Sequence, residues 1–215
     1  MTMETSGPSQ RLAALQSGIR LEVITAIWMT LEGAIAISAG VIAGSVLLIA
    51  FGLDSVIELI SGGVLLWRLS AEAKSDRVTR IENVERRATT ISAILLALLC
   101  LYVAITTVVG LIGRIEPESS VAGILVSMGA LIVMPLLARA KRGVDTRLDS
   151  AALRADIAES ITCAYMAGTV LVGLALNAAL GWWWAEYVAA AVFLYWLVGE
   201  TREAFEAVRG DEDAE

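Results

Sequence analysis

Ser45-Val-Leu-Leu-Ile-Ala-Phe-Gly-Leu-Asp54-Ser-Val-Ile-Glu58-Leu-Ile60 is an apolar run broken by two carboxylates one helical turn apart. Residues four apart share a helix face, so Asp54 and Glu58 converge. A carboxylate at the centre of a membrane helix costs roughly 2.5–3.5 kcal/mol on insertion scales. Two on one face require a compensating partner, and a bound cation is the simplest. A second turn of this kind, Asp156-Ile-Ala-Glu159-Ser-Ile-Thr-Cys163, interrupts a later apolar run.

The whole chain matches that setting. Of its 215 residues, 57% are hydrophobic and 18% charged, and its mean hydropathy is +0.73. A soluble domain carries about 25% charged residues, so the composition indicates an integral membrane protein. A membrane helix needs roughly 20 apolar residues. The apolar runs predict six, at 20–41, 45–69, 89–113, 119–139, 148–178 and 182–207. The expected fold class is an all-α integral membrane protein of six transmembrane helices. Residues 1–19 are read as a polar cytoplasmic N-terminus, 20–208 as the membrane domain and 209–215 as a short acidic tail. Residues 1–19 lack an apolar core, so the first helix is expected to act as the targeting segment, with no separate cleavable signal.

Basic residues set the orientation. Arg11 and Arg20 precede the first helix; Arg68, Lys74, Arg77, Arg80, Arg86 and Arg87 follow the second. Arg139, Lys141, Arg142 and Arg147 follow the fourth, and Arg202 and Arg209 close the chain. The opposite loops hold only Arg114, offset by Glu116 and Glu118. Both termini are therefore expected in the cytoplasm. Trp182, Trp183 and Trp184 fit an aromatic belt at the outer interface. Gly40-Val-Ile-Ala-Gly44-Ser45 reads as a tight turn, and its glycine spacing also suits close helix approach. Residues 70–88 read as a cytoplasmic loop with some helical character, because Glu82, Glu85 and Arg86 can pair with charges one turn away.

Depth brings the buried acids together. At 1.5 Å per residue, Glu32 lies about 15 Å below the outer end of the first helix, and Asp54 and Glu58 about 14–20 Å along the second. Glu159 and Cys163 fall at a similar level. Asp54, Glu58, Glu159 and Cys163 are thus the candidate metal ligands, because carboxylate oxygens and a thiolate can complete a four-coordinate shell. Such groups bind protons when the ion leaves, so ion and proton exchange is the expected chemistry. Glu32 and Asp156 are candidates for proton coupling or for supporting the ligands. The same acids, if protonated, could instead hydrogen-bond across helices and simply hold the bundle, and Cys163 could be a small hydrophobe. Glu186 reads as a helix-start acid or an entry-path residue, and Asn177 as an exit-path or packing residue.

Other chemistry is poorly supported. The chain has no histidine, nucleotide loop, His-Glu-x-x-His helix or serine nucleophile elbow. Cys100 and Cys163 both lie in apolar runs, which argues against a disulfide framework. The basic loops look topogenic, so neither an enzyme nor a nucleic-acid binder is expected.

These residues resemble the cation diffusion facilitator family, and more closely its short relatives of the transmembrane protein 163 type. The similarity covers about residues 20–210. It is carried by the run from Gly44 to Glu58, by Leu153-Arg-Ala-Asp156, and by Gly181-Trp-Trp-Trp-Ala-Glu186. The resemblance implies one ligand pair on helix 2, matched by Asp54 and Glu58, and one on helix 5, matched by Glu159 and Cys163. Glu58 stands in place of the usual Asp, Cys163 in place of a carboxylate, and Glu186-Tyr187 where many members have Asp-Pro. The cytoplasmic metal-binding domain of full-length members is not found after helix 6.

The implied function is proton-coupled export of a divalent transition metal by alternating access, in the plasma membrane. Zn2+ is favoured, with Mn2+, Fe2+ and Cd2+ as other candidates and no organic cofactor. A non-transporting metal-binding regulator and a proton-coupled exporter of organic cations using Glu32 and Glu58 are the alternatives. Metal ions, protons and lipid are the expected partners. So is a second copy of the chain, meeting it through helix 3 at Leu96, Leu99, Tyr102 and Val103.

Overall fold

A computed structural model describes residues 8–73 and 79–212. They form six helices: α1 (Pro8–Ala43), α2 (Val46–Ala73), α3 (Thr79–Gly113), α4 (Val121–Leu148), α5 (Ala151–Leu180) and α6 (Trp183–Glu212). No strand occurs among the described residues. Segments of α1 to α5 are long and apolar enough to cross a membrane. Helix α6 is as long, but its tryptophans, tyrosines, Glu186 and Glu200 dilute the apolar run. It packs lengthwise against α3 and α5, which completes a six-helix bundle. The protein is an all-α membrane protein.

The helices extend beyond the apolar runs. Helix α1 starts at Pro8, whose fixed φ and missing N–H suit a first turn, so residues 8–19 continue the helix. Ala14 and Leu15 there are buried in a small core with Leu69, Val144 and Leu148. Residues 79–88, expected in a loop with some helical character, are the first turns of α3. The side chains of Glu82, Glu85 and Arg86 lie outside the described residues, as do Lys74 and Arg77. Arg139 to Arg147 are likewise the last turns of α4. Their arginines are exposed, whereas Lys141 is buried.

All connections at one end are short. Gly44 takes φ +65°, which favours glycine, and the Ser45 N–H donates to Gly40 O at 2.9 Å. Glu118 N–H donates to Ala43 O at 2.8 Å, and the Tyr187 hydroxyl donates to Ile115 O at 2.6 Å. Trp182 and Trp184 stack at this end with centroids 5.3 Å apart. At the opposite end Arg11 pairs with Glu72 at 2.6 Å. There Asp149 closes α4 and Ser150 caps α5 by accepting from the Leu153 N–H. The main core, around Phe51, Met134, Met166, Leu174, Phe193 and Leu197, fills the space between.

Helix α3 corrects one expectation. Leu96, Leu99 and Val103 are buried inside the bundle and Tyr102 is half-buried, so they are not a free contact face. Their spacing makes them the stripe by which α3 packs on α2 and α6. Its outward face carries Ile94, Leu98, Leu101, Ile105 and Ile112.

Helices α1 and α2 meet backbone to backbone. A Cβ at Gly40 would lie 2.8 Å from Ile49 N, and one at Gly52 would lie 2.8 Å from Ile37 N. Gly40→Ala or Gly52→Ala should therefore destabilise by about 1–3 kcal/mol through overpacking. Gly63 has nothing within 4 Å of an added Cβ, so Gly63→Ala should be neutral or slightly stabilising. Thermal unfolding of the three purified variants checks the contrast.

Candidate metal centre

Helix α2 supplies the centre of the site. Its inward stripe carries Asp54 and Glu58, 0% and 4% exposed. Helix α6 brings up Glu200, so that one carboxylate oxygen from each of the three lies within 4.8 Å of the others. Both oxygens of Asp54, both of Glu58 and Oε2 of Glu200 are buried without a hydrogen-bond partner among the described residues. An unpaired buried polar atom costs stability, and here three such side chains each bring an oxygen to one place.

Glu200 was not singled out in the sequence, because Thr201, Arg202 and Glu203 follow it and make it look like the polar end of the helix. A signal was nevertheless present. Phe193, Leu197 and Glu186 are buried, and Glu200 lies 14 residues after Glu186 (200 − 186), close to four turns of 3.6. It continues the inward stripe of α6. Thr201 fixes this part of the helix by donating to Leu197 O at 2.7 Å and meeting the Cys100 thiol at 3.4 Å.

Helix α1 brings Glu32 to the same level with its hydrogen bonds made. Trp28 Nε1 donates to Oε2 at 2.5 Å, Ser55 Oγ to Oε1 at 2.8 Å, and Cys163 Sγ to Oε1 at 3.8 Å. The Trp28 ring lies over Gly129 of α4, where an added Cβ would meet it at 2.7 Å. Glu32 is thus held by groups from α1, α2 and α5.

Helix α5 is the other side expected to bind. Cys163 is fully buried; its sulfur lies 3.8 Å from Glu32 Oε1 and close enough to Glu58 to interact with it. Glu159 is half-buried and close enough to Asp54 and Glu200 for their charges to interact. Neither belongs to the tight group of three oxygens.

Asp156 lies elsewhere. Lys141 Nζ donates to Asp156 Oδ2 at 2.6 Å and stands 2.8 Å from Glu22 Oε2. The latter is a charge contact rather than a well-directed hydrogen bond, because both Glu22 oxygens lack a hydrogen-bond partner among the described residues. All three residues are buried. Gly62 of α2 makes room for Glu22: an added Cβ would meet Oε1 at 2.6 Å. Lys141, expected to be an ordinary loop charge, therefore ties α1 to α5. At the short-loop end, Glu186 accepts from Ser45 Oγ at 2.5 Å and Asn177 Nδ2 at 2.6 Å. Asn177 Nδ2 also donates to Pro117 O at 3.0 Å.

A bundle of membrane helices that buries unpaired carboxylates in its interior has the build of a cation transporter. The family description "Cation efflux transmembrane domain" matches residues 11–209, which takes in almost all of the six helices. The chain belongs to the cation efflux family, the cation diffusion facilitators, whose members carry divalent metal cations. No curated protein matches it.

The lysine triad gives a direct test of buried charge. Lys141→Met leaves two buried carboxylates without a counter-charge and should cost about 3–5 kcal/mol. Adding Glu22→Gln and Asp156→Asn to that variant should recover most of the loss. Thermal unfolding in one detergent ranks the three proteins.

Proposed function

We propose that the chain is a proton-coupled exporter of divalent transition-metal ions, with Asp54 and Glu58 at the heart of its transport site. The observation that carries this reading is the set of orphaned carboxylate oxygens on α2, facing Glu200. Four of those oxygens belong to Asp54 and Glu58. An ion supplies the charge they lack, and protons replace it when it leaves. Glu159 and Cys163 stand on α5 beside this group and are available to the ion if α5 moves. A shell that includes the Cys163 thiolate favours Zn2+ or Cd2+, whereas one made of oxygens favours Mn2+ or Fe2+.

Asp54→Asn or Glu58→Gln should abolish metal flux into sealed vesicles while the protein remains folded, since the ligands left behind no longer balance a divalent charge away from water. In the unaltered protein, metal movement should drive protons the other way and should weaken as pH falls, because protons compete for the same oxygens. A metal flux assay with a pH-sensitive dye inside the vesicles reads both. Wild-type flux of Zn2+, Mn2+, Fe2+ and Cd2+ through both variants would exclude this site.

The plasma membrane and a homodimer held by membrane helices complete the reading. Exposed Arg139, Arg142, Arg147 and Arg202 cluster at the end bearing the termini, against Arg114 at the other, which supports cytoplasmic termini. A membrane-impermeant thiol reagent should therefore label Glu116→Cys in intact cells and Arg142→Cys only after permeabilisation. The reverse pattern would invert the topology.

A further inference from the structure

We propose that Glu200 of α6 is a direct ligand of the transported ion, and that the shell it completes is built from carboxylate oxygens without the Cys163 thiol. The site then suits an oxygen-preferring divalent ion of the Mn2+ class. This rests on reading the Asp54–Glu58 level as the transport site.

Four observations carry it. Ion–oxygen bonds of about 2.0–2.6 Å put the ligand oxygens of one ion no more than about 4–5 Å apart. The 4.8 Å limit on the Asp54, Glu58 and Glu200 oxygens meets that geometry. Second, these side chains have unpartnered oxygens, whereas Glu32 at the same level is supplied with three donors. Hydrogen bonding therefore distinguishes the supporting acid from those left for an ion. Third, the Cys163 sulfur is not part of this close group; it lies 3.8 Å from Glu32 Oε1, with the Glu58 carboxylate also near. Fourth, no other thiol or imidazole joins the close group. Cys100 meets Thr201, and the sequence has no histidine. Three carboxylates from α2 and α6, with room for water or a second oxygen from one of them, make a hard donor set.

The test uses the full chain in lipid nanodiscs. Mn2+ binding is followed by electron paramagnetic resonance, and Co2+ serves as an optical probe of sulfur ligation. Glu200→Gln should weaken Mn2+ binding about tenfold or more, and Mn2+ should no longer raise its melting temperature as it does for wild type. Without metal, Glu200→Gln should melt no lower than wild type, since Oε2 has no hydrogen-bond partner for the change to break; a purely structural glutamate would give a lower value. Cys163→Ser should keep Mn2+ affinity within about twofold of wild type, and bound Co2+ should show no sulfur-to-metal charge-transfer band.

Unchanged Mn2+ binding by Glu200→Gln overturns the ligand role. A Co2+ charge-transfer band that disappears in Cys163→Ser overturns the oxygen shell but leaves the transport site in place. Wild-type binding of both ions by Asp54→Asn instead overturns the site reading itself. Should Glu200→Gln fail to fold, Glu200→Asp decides: its carboxylate, drawn back by one methylene, should still lose affinity, and unchanged affinity again overturns the ligand role.

Discussion

Charge taken out of water has to be matched, and the interior of this bundle is organised by how each buried acid meets that demand. Glu32 is surrounded by donors from a tryptophan, a serine and a cysteine. Glu22 and Asp156 share the Lys141 ammonium, and Glu186 takes its donors from Ser45 and Asn177. Asp54, Glu58 and Oε2 of Glu200 are left unmatched. Seen singly, any of these acids could be structural. Seen together, the first group has donors or a counter-charge from the protein, and the second has neither among the described residues.

The polar groups also divide the bundle along its length. At the short-loop end, Ser45, Asn177, Glu186 and Pro117 O join the start of α2, the end of α5, the α3–α4 connection and the start of α6. Toward the end bearing the termini, Lys141 joins α4 to α1 and α5. The acids of the candidate metal centre lie between these two ties, and Asp54 and Glu58 are closed off from water in this conformation.

Much of this was legible in the sequence. Composition and run length identify a membrane bundle, the Asp54–Glu58 spacing within an apolar run marks two acids that the structure leaves unpartnered, and the resemblance of the stretches around them points to the family that the chain belongs to. What could not be read was the direction each helix faces. Lys141 sits in a basic stretch with Arg139 and Arg142, and nothing in that stretch shows that one of three cations turns inward. Leu96, Leu99 and Val103 form a regular stripe, but a stripe is equally apolar toward lipid and toward protein, so periodicity alone cannot assign its side. The Cys163 thiol stands near both Glu32 and Glu58, and residue spacing along α5 does not show that α1 brings the first of these within reach. Helix ends were underestimated for a related reason: amphipathic turns continue past the apolar slab, where hydropathy no longer reports them.

The glycine seam between α1 and α2 has a mechanical meaning. With Gly40 against Ile49 N and Gly52 against Ile37 N, the two helices interlock in register like teeth. Sliding one along the other would drive backbone into backbone. Glu32 and Ser55, linked across that seam, therefore travel together, and Asp54 moves with its neighbour. Any rearrangement of the bundle then has to be taken up where side chains rather than backbones touch, at the borders of this hairpin with α3, α4, α5 and α6, which makes those borders its bearing surfaces.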